Sequence, residues 1–187
     1  MADIDSLLQQ FALRRAAGYL ELGELLLEGD EPVAPSARRV FERAVAELAG
    51  LPAEVRDSPG VSLLQGMAFR SLGRWEEALE PLARTVAAEP GRVEAWLGLG
   101  WCLKRLGRLT EAIAALEAGL AAAPERPILC YNLACYHSLA GNVAAAVEHL
   151  ARAIALDDRY RDMTGTETDF DPIRSDPRFV AAVQVTA

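Results

Sequence analysis

The chain has 187 residues, 51% of them hydrophobic and 25% charged, which is a globular composition at a length that suits one compact domain or one short repeat array. A formal net charge of −8 repels phosphate backbones and excludes an ordinary nucleic-acid binder. No run of about eighteen apolar residues is present to insert in a membrane, and the acidic start Met1-Ala2-Asp3-Ile4-Asp5 lacks the basic and apolar parts of a secretion leader.

Taken along the chain, Ile4, Leu7, Leu8 and Phe11 open a helical spacing that continues through Tyr19 to Asp30, "YLELGELLLEGD", and predicts a first helix over about 6–28. Ala37, Phe41 and Ala44 place a second over 36–49, followed by a longer loop from Gly50 to Ser58. Three further pairs are expected at 60–72 with 75–88, 94–106 with 109–122, and 128–140 with 143–156, with no strand. Gly66, Gly100 and Ala134 are each 34 residues apart. So are Gly73, Gly107 and Gly141; Ala78, Ala112 and Ala146; and Leu82, Leu116 and Leu150. Such a period marks stacked helix–turn–helix units. Gly66 and Ala78 belong where the two helices of a hairpin cross, and Gly73, Gly107 and Gly141 where the first helix ends in a left-handed cap. Pro90 and Pro124 stop the second helix. At the end, Asp176 reads as an N-cap with Pro177 at the first position of a short helix near 176–184. Phe170, Ile173, Phe179, Val180 and Val183 are then expected to cover the last repeat.

The pattern resembles the tetratricopeptide repeat. Trp96, Leu99, Gly100, Leu103, Ala112, Leu116 and Pro124 fill its signature places in the middle unit. Gly66, Phe69, Ala78, Leu82 and Pro90 fill them in the unit before, and Leu133, Ala134, Ala146, Leu150 and Ala153 in the unit after, where Asp158 replaces the closing proline. The resemblance implies an all-α, right-handed superhelical array with an N-terminal helix extension and a C-terminal capping helix. As one domain over 1–187 it comprises a degenerate repeat at about 16–49, repeats at about 59–92, 93–126 and 127–160, and a cap over 161–187.

Catalytic chemistry finds little to stand on. Cys130, Cys135 and His137 share one helix without the spacing of a zinc ligand pair, and core packing accounts for them. The acidic run from Asp157 to Asp171 lacks a calcium loop's ordered oxygens, and there is no phosphate-binding loop or nucleophile elbow. The expectation is no enzyme, no cofactor and no metal. Three cysteines without paired spacing fit a reducing compartment, so the expected location is cytoplasmic.

In the family, the first helix of each repeat lines a concave groove. Its exposed places here imply a connected apolar stripe of Leu63, Met67, Leu97, Trp101, Tyr131 and Cys135, edged by Arg70, Lys104 and Arg105; Leu20 falls at the corresponding place of the degenerate unit. Asn132 is placed to bond a ligand's backbone amide. The carboxylate clamp of chaperone-binding members needs Lys, Asn, Asn, Lys and Arg. In one register those places hold Leu20, Glu24, Leu64, Glu94 and Gly98, and in the other Leu63, Met67, Gly98, Ile128 and Asn132, so a clamp is not expected. The implied function is a non-catalytic scaffold for protein–protein interaction. Its partner would be a protein or peptide with an apolar amphipathic segment carrying some acidic residues, with no nucleic acid and no membrane insertion. The alternative occupants are the protein's own N-terminal helix or acidic tail. The alternative roles are a secretion-type chaperone and a self-associating module that forms a homodimer.

Overall fold

The computed structural model describes residues 2–26 and 33–184, apart from the side chains of residues 2–6 and 8. Among the described residues all regular structure is helical. The helices are α1 (Ala2–Leu25), α2 (Pro35–Ala49), α3 (Ala53–Arg56), α4 (Pro59–Ser71), α5 (Trp75–Ala88), α6 (Val93–Arg105), α7 (Leu109–Ala122), α8 (Pro127–Leu139), α9 (Val143–Leu156), α10 (Arg159–Met163), a 3-10 helix (Thr168–Ile173) and α11 (Pro177–Gln184). The bounds of the six repeat helices α4 to α9 lie within about a residue of those the spacing predicts. The short α3, α10 and 3-10 helix were not expected, because four to six residues cannot display a helical period. Ile4, Leu8 and Leu27 lie outside the described side chains.

The chain forms two compact units, Met1–Leu106 and Gly107–Ala187. In the first, α1 packs on α2, α2 on α4, α4 on α5, and α5 on α6. Leu20, Ala37, Phe41, Ala44, Ala68 and Leu72 form one core cluster, and Ala16, Leu48, Leu51 and Val61 another. Leu20, expected to face the groove, is therefore core at 6% exposure, because α2 and α4 close over it. α4 ends where Gly73, at φ +73°, turns the chain. Gly73 N–H then donates to Arg70 O at 3.0 Å and Arg74 N–H to Phe69 O at 2.9 Å, the paired bonds of a glycine-capped helix end. Thr85 is fully buried and its hydroxyl donates to Pro81 O within α5 at 3.0 Å and reaches Pro59 O, at the start of α4, at 3.3 Å. Trp96 Nε1 donates to Pro90 O at 2.8 Å, tying α6 to the proline that follows α5.

In the second unit α8 packs between α7 and α9, α10 and α11 lie on α9, and the 3-10 helix lies on α8. Gly141, at φ +73°, repeats the turn of Gly73, and Asn142 Oδ1 accepts from Ala145 N–H to cap α9. The segment after α9 is held largely by arginines. Arg174 donates to Thr164 O at 2.9 Å and Glu167 O at 2.7 Å and pairs with Asp171, while Arg161 donates to Val183 O at 2.7 Å. Asp176 caps α11 by accepting from Arg178 N–H at 2.9 Å. Phe170, Ile173 and Phe179 are buried as expected, whereas Val180 is exposed on the outer side of the short α11.

Candidate functional site

In the first unit α4 presents Leu63, Met67 and Arg70, and α6 presents Leu97, Trp101 and Lys104, all half-buried. The three residues on each helix follow at intervals of three or four, so they share one face. Gly98 of α6 sits against the Leu82 side chain of α5. Trp101 stands edge-on to Trp75, the first residue of α5, with ring centres 6.2 Å apart and planes at 76°. The Arg105 guanidinium lies 4.6 Å from the Trp75 ring centre and 5.4 Å from that of Trp101, and Arg70 lies 5.9 Å from Trp101. Cations stacked on indole faces in this way gain about 0.5–1 kcal/mol each at partly exposed sites. Two of the three cations expected to edge the stripe thus rest on its largest ring. Trp75 was not anticipated as part of this face; its only sequence signal is an aromatic at the start of a second helix, where the next two repeats carry Leu109 and Val143. Its Nε1 is buried without a hydrogen-bond partner.

The second unit differs. Tyr131 and Cys135, expected to be exposed at the equivalent places of α8, are buried at 3% and 2% exposure. The cause is the segment after α9, which returns over α8. Tyr160 lies 4.9 Å from the Tyr131 ring centre and Phe170 lies 5.7 Å away at 81°, with Phe179 in turn 5.2 Å from Phe170. The Tyr131 hydroxyl is buried without a partner. Burial pushes its pKa well above the ordinary tyrosine value, making it a weaker acid, and Cys135, Glu167, Asp169 and Tyr160 push the same way. Asn132 Nδ2 donates to Ile128 O at 2.8 Å, so the amide expected to bond a ligand spends that bond on its own helix.

His137 of α8 and His149 of α9 stack in parallel, centres 5.4 Å apart and planes at 2°. Cys102, Cys130 and Cys135 are buried thiols, and burial pushes Cys102 up to about 11. Among the described residues no group of three or more His, Cys, Asp or Glu side chains is placed to hold a metal ion, and no helix is long and apolar enough to cross a membrane.

Two family models, both described as tetratricopeptide repeat, match residues 63–127 and 128–160, together more than half of the chain. No curated protein matches it by sequence. Among solved structures, one described as "Crystal structure of MamA" is similar at TM-score 0.61 and 17% identity, over 84% of this chain and 95% of that one. "MamA RS-1 ArsTM double mutant" is similar at TM-score 0.62 and 21% identity, over 90% and 89%. YrrB, described as "a TPR protein with an unusual peptide-binding site", is similar at TM-score 0.52 and 25% identity, over 65% of this chain and 59% of that one.

Proposed function

The chain belongs to the tetratricopeptide repeat family, and from that premise we propose that it is a non-catalytic, cytoplasmic scaffold whose α4–α6 face binds a protein or peptide segment. The observation that carries this reading is the contrast between equivalent places. Tyr131 and Cys135 on α8 are covered by the chain itself, whereas Leu63, Met67, Leu97 and Trp101 on α4 and α6 stay half-open beside Arg70, Lys104 and Arg105. Half-open apolar side chains grouped on one face favour a partner's apolar surface, and Trp and Met suit adaptable anchoring. YrrB, a structural relative described by its peptide-binding site, supports the same reading. Selection of displayed peptides on the purified chain, counter-selected against Trp101→Ala, tests it. Peptides that bind both proteins equally would move the binding surface away from α6.

A second reading, self-association, rests on α1. Leu7, Phe11, Leu22 and Leu25 are 48%, 61%, 47% and 83% exposed, and helical geometry puts them within about 60° of one another. Mass by light scattering against concentration checks this, and a monomer throughout removes it.

A further inference from the structure

We propose that the segment taken by the α4–α6 face is a short acidic peptide with a single aromatic anchor, the chemistry that the chain lays on its own α8. This deepens the reading above and rests on it. By the repeat register, Tyr131 and Cys135 of α8 correspond to Leu97 and Trp101 of α6 and to Leu63 and Met67 of α4. Tyr131 is covered by Tyr160 and by residues 167–171, Glu-Thr-Asp-Phe-Asp, the latter being the acidic part of the cover. Phe170 is fully buried with its ring edge-on to Tyr131, and Glu167 and Asp169 lie close enough to act on the Tyr131 phenol. The structure thus contains one worked instance of an aromatic, flanked by carboxylates, seated at these places.

The fit on α8 is incomplete, since the Tyr131 hydroxyl has no partner beneath that segment. Its Asp171 is paired with Arg174, three residues further along the same tail, and not with a cation of α8. On α6 the place of Tyr131 holds Leu97 and the place of Cys135, one turn on, holds the large Trp101 ring, with the Arg70 and Arg105 guanidiniums 5.9 and 5.4 Å from its centre. An aromatic anchor set against Trp101 would bring its flanking carboxylates to these two cations, a local positive pair in a chain of formal net charge −8. Charge and shape therefore favour the same ligand class, and a basic or uncharged helix gains nothing from Arg70 and Arg105.

The probe is a synthetic peptide, Gly-Thr-Glu-Thr-Asp-Phe-Asp-Pro, titrated into the full-length chain with tryptophan emission as readout. All three tryptophans, Trp75, Trp96 and Trp101, lie in the first unit, with the α4–α6 face. The expected result is a saturable emission change that weakens with added salt. Affinity should fall on the order of tenfold or more when the peptide carries Phe170→Ala, and similarly when its three acids become amides. Arg70→Ala with Arg105→Ala in the chain should weaken binding comparably while the helical signal is retained. No emission change, or a change that survives Phe170→Ala in the peptide, overturns the inference. If an acid-free amphipathic helical peptide binds in a Trp101-dependent way and the acidic peptide does not, the inference falls and the scaffold reading stands. If neither binds, both fall.

Discussion

Leu82 of α5 closes over Gly66 of α4 so tightly that a β-carbon on Gly66 would lie 2.5 Å from Leu82 Cγ. The same side chain comes within 3.1 Å of a β-carbon built on Gly98 of α6. Gly66→Ala should therefore destabilise by about 1–3 kcal/mol through overpacking, and Gly98→Ala by less, because only the mobile end of Leu82 must give. Leu82→Ala should cost about 2–5 kcal/mol by leaving a cavity. Combined with Gly66→Ala it should cost less than the sum of the two, since each relieves the other. Urea melts of the four variants check the order.

Tyr131→Phe should be neutral or stabilising by up to about 1 kcal/mol, because it removes a buried hydroxyl that has no partner. Tyr131→Ala should cost about 3–5 kcal/mol, because it also removes the ring on which Tyr160 and Phe170 rest. A thermal melt in which Tyr131→Phe proves clearly destabilising would show that the hydroxyl is hydrogen-bonded in solution.

Stability should fall as pH drops from about 7 to 5, and His149 should carry part of that slope. Burial holds its proton affinity below the ordinary 6.5, and His137 and Arg152 add to this while Glu148 and Glu117 oppose it. The unfolded chain then takes the proton first. The contribution is complete above 6.5 and is lost as pH falls through that value toward the lower folded one. His149→Gln should flatten the dependence of melting temperature on pH in this window.

All three thiols should resist alkylation at pH 8 in the native protein and react together once it is unfolded. Cys102 is fully buried with its thiol pushed up to about 11, and burial likewise raises Cys130. The thiolate is the reactive form, and here it is both scarce and covered. Mass spectrometry of labelling with and without denaturant measures this.

The repeat helices were legible because their ends depend on local chemistry. Gly73, Gly107 and Gly141 adopt positive φ, which side chains resist, so the turn is written as a glycine in the sequence. The state of the binding face was not legible in the same way. Whether Tyr131 is open depends on Phe170, which arrives almost forty residues later on a 3-10 helix too short to show a period. The family's exposed places do not carry over to the degenerate first repeat, where α2 and α4 bury Leu20. In the sequence Arg105 is only an edge charge, because its stacking on Trp75 depends on a turn that brings the start of α5 beside α6.

Family similarity stops at residue 160, yet the cover of Tyr131 runs on through Phe170 to Phe179. The last residue that looks like a repeat is therefore not the last residue needed to fold one. A chain cut after Tyr160 would keep every signature position and lose Phe170, Ile173 and Phe179, stripping the outer side of α8. Such a fragment should be poorly soluble and elute as large, ill-defined species, whereas one ending after Gln184 should stay dispersed. Boundaries chosen by similarity alone would thus turn a covered apolar face into an adhesive one.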